Sequence, residues 1–415
     1  MSALDRTIAA SATALASVRP AGDEVAPREV AAAAILGFIA EPGDGVLGRL
    51  VAALGAARVG EEVLGERTAG ELTADAVDRG AALSVHEVAA GLQRWRPRRD
   101  HAAFARALGQ AARVGARLLV PSDGDWPVGL RDLDAHAPFT LWVRGRVATL
   151  AQTPSIALVG ARAASSYGEL VATEAAAGLV DRGFAIVSGG AYGIDGTAHR
   201  SALASGGTTV AFLAGGVDRF YPVGHEALFS RIVETGAVVS EMPCGAAPTR
   251  WRFLNRNRLI AAAAQATVVL EAGMRSGSLN TAGHAAALGR PLGAMPGPVT
   301  SPASAGCHRL LREYDAVCVT DAAQMAELVG TAGGRTDAVD DREFPPPVVD
   351  RALDGLTSDE RRVLDALGMR RPRTVLELAQ RAGLGTDAVL GALGALDATG
   401  LARRLDDGWV RRRSA

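Results

Sequence analysis

The chain has 415 residues, 48% of them hydrophobic and 21% charged, which is typical of globular protein and long enough for two or three domains. Its formal net charge is −1, so a site for a polyanion has to be a local basic patch. The sequence contains no lysine, which excludes a P-loop and Schiff-base chemistry on a lysine.

The three cysteines are widely spaced and form no CxxC pair, which favours a reduced compartment and argues against a zinc site. No apolar run approaches the roughly 20 residues of a transmembrane helix. The first 24 residues lack the apolar core of a signal peptide. We therefore expect a cytoplasmic protein without membrane association, metal or cofactor.

In chain order, residues 1–24 are small and polar and are predicted to be disordered. From 25 to 114, apolar residues recur at spacings of three and four, as in Ile35 and Ile39, which predicts a small helical domain. The turn at 43–45 suggests a module of the SAM or helix-hairpin-helix type. A plain helical bundle explains the same pattern equally well.

Residues 115–329 alternate short apolar runs with helical segments. Repeated βα units of this kind predict an extended, Rossmann-like parallel sheet with helices on both faces. In such sheets ligands bind at the carboxyl ends of the strands, so the loops there are candidate sites. The predicted strands are Ser155–Val159, Ala185–Ser188, Thr208–Leu213, Ala237–Ser240, Thr267–Leu270 and Pro291–Ala294.

Residues 330–355 are rich in Gly, Thr, Asp and Pro and are predicted to be a linker. Residues 356–415 predict three helices followed by a β-hairpin around a turn at 406–408, which is the order of a winged helix. Because this segment is only mildly basic, DNA binding through its third helix and a role in protein contact are both open.

The run from Phe253 to Arg258 places two guanidinium groups, two amides and an aromatic ring before an apolar, alanine-rich segment. Guanidinium groups match phosphate oxygens, and an aromatic ring offers a face on which a base can stack. The run therefore predicts a pocket for a nucleic-acid backbone or a nucleotide.

Four further segments follow predicted strands and combine glycine with polar residues, at 159–162, 188–195, 214–218 and 275–282. Glycine turns before a helix free backbone N–H groups for an anion. Each alone is also an ordinary strand-to-helix turn. In the second segment Asp195 has the ordinary role of a helix cap, and His199 behind it packs against a sheet more often than it contacts a ligand. Together with the run above, the four predict an extended phosphate-binding groove.

The motifs of catalysis are not found in the sequence. No G-x-G-x-x-G follows the first strand, and there is no Ser-His-Asp arrangement, G-x-S-x-G elbow or pair of acids at metal-binding spacing near these loops. The pattern favours binding over catalysis, and we expect no enzymatic activity.

Taken together, these motifs resemble the DprA/Smf family of bacterial DNA-processing proteins, over roughly residues 115–320. The family binds single-stranded DNA on an extended Rossmann domain, forms dimers and loads the recombinase RecA during natural transformation. The resemblance implies the same here: protection of the strand, RecA as a partner, and a homodimer. The motifs that match the family are Val159-Gly160-Ala161-Arg162, Ser188 to Asp195 with Ala198-His199, Tyr221-Pro222, Ser240-Glu241, Phe253 to Arg258, Ser276 to Ala282 and Met295-Pro296-Gly297, with Trp126-Pro127 upstream.

By resemblance, Phe253 stacks on a base while the arginines and the glycine–hydroxyl loops hold phosphates. The residues assigned to DNA binding in this way are Arg162, Ser188, Gly189, Gly190, Gly193, Arg250, Arg252, Phe253, Asn255, Arg256, Asn257, Arg258, Ser276, Gly277 and Ser278.

This chain departs from the family pattern at a few positions. Tyr192 stands where the glycine loop of relatives carries a basic residue, and Val223 stands where lysine is frequent. The salt dependence of binding is the slope of the logarithm of the binding constant against the logarithm of the salt concentration. The loss of two cations should reduce the size of this slope by about 1.4. Ala161 and Leu254 are further departures, and Arg250 and Arg252 could compensate for the lost charge.

Two alternatives stay open at this stage. The first is an enzyme of the nucleotide phosphoribohydrolase type on a similar scaffold, in which Asp195 is the clearest carboxylate. The second is a protein-interaction scaffold with DNA contact secondary.

Overall fold

The computed structural model describes residues 2–19, 26–152, 154–330 and 355–412. The linker predicted at 330–355 lies almost entirely outside these residues. None of the helices in the described ranges is long and apolar enough to span a bilayer.

The first part of the chain is helical, as its apolar spacing predicts. Side chains such as Leu47, Leu50, Val59 and Trp95 close a core of their own. The helix-hairpin-helix character of this part stays a prediction. The helices are α1 (Ala3–Val18), α2 (Pro27–Ile39), α3 (Gly45–Leu54), α4 (Ala56–Leu64), α5 (Ala69–Val77), α6 (Val85–Trp95) and α7 (His101–Arg113).

The prediction of disorder for residues 1–24 is wrong for residues 3–18, which form α1. Ser2 caps this helix with a reciprocal bond to Asp5. The buried face includes Leu4, Leu15 and Val18, and its two middle positions are threonine and serine. Because those two positions are polar, the three-and-four spacing of a buried helix face does not show up in a search for apolar residues.

Residues 115–329 form one nine-stranded sheet in the order β1-β2-β6-β5-β4-β3-β7-β8-β9. The pairings β1–β2 and β2–β6 are antiparallel, and the other six are parallel. The predicted Rossmann-like sheet is confirmed, with two antiparallel strands added at one edge. The strands are β1 (Arg117–Leu119), β2 (Leu141–Gly145), β3 (Ser155–Gly160), β4 (Ala185–Ser188), β5 (Thr209–Leu213), β6 (Ala237–Ser240), β7 (Ala266–Glu271), β8 (Leu292–Ala294) and β9 (Val317–Cys318).

Helices cover both faces of this sheet. On one face α9, α10 and α15 pack on side chains such as Ile156 and Leu158, and on the other α12, α13 and α14 pack on Ala157 and Val159. This alternation along β3 is what a strand buried on both faces requires. The helices are α8 (Thr149–Gln152), α9 (Ser166–Asp181), α10 (Ile194–Ala204), α11 (Glu226–Thr235), α12 (Arg250–Ala263), α13 (Ser278–Ala287), α14 (Ala305–Glu313) and α15 (Ala322–Gly330).

The strand order reverses between β3 and β7. From β3 the chain adds β4, β5 and β6 on one side, and it then returns to place β7 and β8 on the other. The crevice outside the carboxyl ends of two such strands is the usual ligand site of a doubly wound sheet. The fold therefore indicates the carboxyl ends of β3 and β7 as the candidate site before any side chain is considered.

The last domain is a winged helix, as predicted. Capping boxes at Thr357 and Thr374 start its first two helices. Its core is closed by residues such as Leu364, Leu378 and Leu393. The elements are α16 (Ser358–Ala366), α17 (Val375–Ala382), α18 (Thr386–Ala398), β10 (Ala402–Leu405) and β11 (Gly408–Arg411).

Both flanking domains are anchored on the start of α12. From the helical domain, Glu41 accepts two hydrogen bonds from Arg252 at 3.0 and 2.5 Å. From the winged helix, the Arg362 guanidinium lies 4.9 Å from the Trp251 ring centre. The winged helix also reaches the helical domain, where Gln380 Nε2 donates to the Pro97 carbonyl at 2.8 Å. These contacts fix the two outer domains beside the carboxyl edge of the sheet.

Candidate nucleic-acid interface

A cleft of about 990 Å³ opens at the carboxyl edge of the sheet, at the β3–β7 reversal point. Its floor and walls come from the loop after β3, the loop after β7 and one side of α12. Eight of the fifteen residues predicted for DNA binding line it: Arg162, Arg250, Phe253, Arg256, Asn257, Ser276, Gly277 and Ser278.

The ring of Phe253 is surrounded by cations and a second ring. The guanidinium carbons of Arg162 and Arg256 lie 5.0 and 5.6 Å from its centre. The Tyr221 ring, itself half exposed, lies 5.7 Å away at a tilt of 58°. An accessible aromatic pair beside guanidinium groups suits a nucleotide, since it offers a stacking surface and phosphate ligands within one side-chain length.

The run 253–258 is helical and belongs to α12, which Thr249 caps by accepting from the Arg252 backbone N–H at 3.3 Å. The prediction of one pocket formed by the whole run needs correction for this reason. Successive side chains on a helix point about 100° apart, so positions such as Phe253, Asn257 and Ile260 share the cleft side. Arg252, Asn255 and Arg258 do not line the cleft.

Arg256 is almost fully buried at the back of the cleft. Its Nη1 donates to the Gly189 carbonyl at 2.6 Å and also to the Phe212 carbonyl. Burial lowers the pKa of its guanidinium to about 10, and the nearby Asp195 carboxylate partly offsets this effect. Arg256 is therefore protonated at neutral pH and places a fixed positive charge behind the ring of Phe253.

Two of the predicted phosphate ligands are occupied elsewhere. Arg252 is buried in its ion pair with Glu41. Arg258 is also buried, and its Nη2 donates to both carboxylate oxygens of Glu241 at 2.8 and 2.7 Å. Neither lines the cleft. We correct the expectation for both, and with it the idea that Arg252 compensates for lost cations, because these guanidinium groups hold domains and strands together.

The two asparagines of the run also have different surroundings. Asn257 lines the cleft and donates to the Gly277 carbonyl at 3.3 Å and to Asn280 Oδ1 at 3.2 Å, which ties α12 to the loop after β7. Asn255 lies outside the cleft, and its amide donates back to the Trp251 carbonyl at 3.1 Å.

The loop after β4 supports the cleft from behind. Ser188 is fully buried and its hydroxyl donates to the Leu158 carbonyl at 2.7 Å, so it cannot serve a phosphate as predicted. Gly189 leaves room for Arg256, since a Cβ there would lie 2.4 Å from Nη1. Gly190 and Gly193 have φ near +70°. None of the four lines the cleft, and their contribution is to position Arg256 and Asp195.

The loop after β7 presents hydroxyl and N–H groups to the cleft. Ser276 Oγ lies 2.7 Å from Ser278 Oγ, and Gly277 is the N-cap of α13. The N–H groups of Ser278, Leu279 and Asn280 bond within the turn, so it is the positive end of the α13 dipole, together with the two hydroxyls, that makes this corner suited to an anion.

The cleft residues that were not assigned from the sequence include Arg275, Tyr221 and Met274. All three are exposed, the last two by about half. Arg275 could have been found, because it directly precedes a hydroxyl–glycine loop at the carboxyl end of a strand. Nothing in the local sequence indicates that Tyr221 meets Phe253.

Two residues singled out behind the glycine loop have buried roles. His199 is fully buried with Nδ1 2.6 Å from Thr209 Oγ1, whose own proton goes to the Ile186 carbonyl. Burial lowers the pKa of His199 to about 3. Asp195 lies in the second position of α10, accepts from the Ala191 N–H at 3.2 Å and lines the back of the cleft. Burial raises its pKa, and Arg256 counteracts part of that rise.

The fold and cleft define a Rossmann-like protein with a helical domain and a winged helix beside its candidate site. Residues 117–330 match the family DNA recombination-mediator protein A, and residues 345–408 match the DprA winged helix domain. The chain belongs to the DprA/Smf family, as its motifs indicate.

The similarity extends to named relatives. A DprA protein of Mycobacterium tuberculosis strain H37Rv is 49% identical over 308 residues, covering 72% of this chain and 77% of the relative. Protein Smf of Escherichia coli K12 is 34% identical over 304 residues, covering 72% and 78%. The X-ray structure of DNA processing protein A from Streptococcus pneumoniae aligns with a TM-score of 0.57 and 29% identity, covering 72% of this chain and 97% of that one.

Proposed function

We propose that the cleft binds single-stranded DNA and that the protein protects the strand and promotes RecA loading during recombination. The observation that carries the proposal is the Phe253 ring, which lies accessible between Arg162 and Tyr221 at a cleft with four lining arginines. A base in a duplex is already stacked on its neighbours, whereas an unpaired base gains contact with an exposed ring.

Binding is expected to rearrange the guanidinium of Arg162. In the free protein it lies over the ring of Phe253, and its side chain is exposed. A base that stacks on this ring replaces the cation there, and the released guanidinium can pair with the phosphate of the same nucleotide. The cation–ring contact therefore keeps both groups ready at the entrance of the cleft.

Several features support a binding protein over an enzyme. Burial raises the pKa of Cys244 and Cys307 to about 12, so neither thiol is a nucleophile at neutral pH. Within the described ranges, no group of three or more metal-ligating side chains comes together. The family name also describes a mediator.

The phosphoribohydrolase alternative depends on Asp195, which does lie at the back of the cleft. Its carboxylate is held by the Ala191 N–H and lies beside Arg256, an arrangement suited to ordering the loop. Hydrolysis of nucleoside monophosphates by the wild-type protein, lost in Asp195→Asn, would establish the enzyme and overturn our choice.

The test of binding is a titration of single- and double-stranded oligonucleotides at several salt concentrations. We expect tighter binding of the single strand and an affinity that falls steeply with salt. Equal affinity for both forms would contradict the role of the Phe253 ring. Negligible, salt-insensitive binding would favour the protein-scaffold alternative.

RecA loading is tested separately. RecA filament formation on single strands coated with single-strand-binding protein should be faster in the presence of this protein. No acceleration at saturating concentration would limit the proposal to strand binding. A homodimer and a cytoplasmic location are further parts of the proposal, tested by sedimentation and by localisation in cells.

A further inference from the structure

The third helix of the winged domain is poorly suited to DNA. In many winged and helix-turn-helix domains this helix enters the major groove and reads base edges. Here α18 contains no basic residue and carries two exposed acids, Asp387 and Asp397. Its other exposed positions include Leu390, Gly391 and Gly394. A negative, donor-poor helix does not approach a phosphate backbone.

The wing has the opposite character. Residues 368–373 lie against β11 through two isolated bridges, from Gly368 to Val410 and from Arg373 to Trp409. We define residues 368–373 and 402–412 as the basic wing. It contains seven arginines against two aspartates.

Most of these guanidinium groups are available. Arg370, Arg403, Arg404 and Arg412 are exposed, and within the described residues no hydrogen bond or ion pair engages their side chains. Arg373 is held by the Ala366 carbonyl. Several unpaired cations on one small surface repel each other and favour a polyanion that neutralises them.

The basic wing adjoins the cleft. Helix α16 contacts the start of α12, where its Arg362 lies over the ring of Trp251, next to Arg250. Asp365 of the same helix interacts electrostatically with both Arg411 of the wing and Arg250: burial raises the pKa of its carboxyl, and the two arginines counteract part of that rise. Arg250 is itself a cleft residue. Arg250 of the cleft and Arg411 of the wing therefore lie near the same carboxylate, which places the wing next to the cleft.

We propose that a single strand leaving the cleft at Arg250 continues along the basic wing, where arginines of two different strands contact its phosphates. The proposal rests on the strand binding proposed above. In this proposal the winged helix binds the same single-stranded DNA as the sheet domain. It does so with the basic wing and not with α18.

The experiment compares two single-stranded oligonucleotides, of about 6 and about 30 nucleotides, so that the shorter fills the cleft only. In full-length protein, Arg403→Ala with Arg404→Ala should leave binding of the shorter one unchanged. Binding of the longer one should weaken by up to about tenfold, with the salt dependence reduced by about 1.4. Arg370→Ala with Arg412→Ala, in the segment 368–373 and directly after β11, should have the same effect.

The matched control is Arg182→Ala with Arg231→Ala. Both side chains are exposed, Arg182 directly after α9 and Arg231 on α11, and neither belongs to the cleft or the wing. This variant loses two charges as well and should bind both oligonucleotides as the wild type does.

Each outcome decides between the two proposals. If the wing variants bind the longer oligonucleotide as tightly as the control, the wing proposal is wrong and the cleft proposal stands. An equal loss on both lengths would also overturn it. If the wild type binds neither oligonucleotide, both proposals fall.

Discussion

Arg252 and Glu41, which are 211 positions apart in the chain, meet in a buried ion pair that joins the sheet domain to the helical domain. Arg98 Nη1 lies 2.8 Å from the same carboxylate, and the positive charge of Arg362, in the winged helix, also stabilises the ionised form of Glu41. One carboxylate thus faces arginines of three domains. It sets the orientation of α12, and through α12 the position of the Phe253 ring.

The first prediction concerns the contribution of this carboxylate to stability. Burial alone would raise its pKa, but the arginines outweigh burial and hold the pKa of Glu41 at about 2. Because this is below the value in the unfolded chain, near 4.5, the charge stabilises the fold above that pH, and the gain is lost as pH falls toward 2. Glu41→Gln should lower the free energy of unfolding at neutral pH by about 3–5 kcal/mol.

Urea denaturation at several pH values measures this effect. The difference between wild type and Glu41→Gln should shrink as pH falls below about 4.5. A difference that does not change with pH would mean that the loss comes from packing and not from the charge. Glu66→Gln is a suitable control, since this side chain is 89% exposed.

The second prediction concerns stacking. Phe253→Ala should weaken binding of single-stranded oligonucleotides by roughly 1–3 kcal/mol, because a base loses its contact with the ring. Phe253→Tyr keeps the ring and should bind nearly as the wild type does. Fluorescence anisotropy with labelled oligonucleotides gives both values. Unchanged affinity in the alanine variant would remove Phe253 from the interface.

The third prediction separates arginines that contact DNA from arginines that hold the fold. Arg162→Ala with Arg275→Ala removes two exposed cations from the cleft and should reduce the salt dependence of binding by about 1.4 without changing the melting temperature. Arg258→Ala, which leaves Glu241 buried without its partner, should lower the melting temperature. If Arg162→Ala with Arg275→Ala lowered the melting temperature and left the salt dependence unchanged, these two arginines would hold the fold and would not contact DNA.

The fourth prediction concerns acid sensitivity. Burial lowers the pKa of His199 to about 3, below its usual value near 6.5, so the unfolded chain takes up a proton between these values and the folded protein does not. The stability of the wild type should therefore fall by about 1.4 kcal/mol per pH unit below pH 6.5 on account of this side chain. His199→Phe should show a shallower decline in urea denaturation at pH 7, 6 and 5. An equally steep decline would show that His199 is accessible to protons in the fold.

The sequence predicted the architecture well, because alternating apolar runs and glycine turns are local signals. The boundaries of Ala185–Ser188 and Ala237–Ser240 agree with the structure to the residue. The short edge strand Arg117–Leu119 was missed, since three residues carry no periodicity. Helix α1 was missed because threonine and serine fill two of its five buried positions.

The site was predicted only in part, for a different physical reason. The sequence gives the order of the residues, but it does not show which of several arginines on one helix forms an ion pair with a carboxylate. Arg252 and Arg258 read as phosphate ligands in the sequence, and only the partners at Glu41 and Glu241 show that they are engaged. The contact of Tyr221 with Phe253 likewise depends on how the loop after β5 meets the first turn of α12.

The run from Arg252 to Arg258 has a consequence for how the sequence can change. Its arginines are each committed to a different distant position: Arg252 to Glu41, Arg256 to the small residue at Gly189, and Arg258 to Glu241. A substitution at any one of them requires a compensating substitution at its own partner and leaves the other two pairs untouched. Covariation in the family should therefore radiate from this single helix to separate parts of the chain.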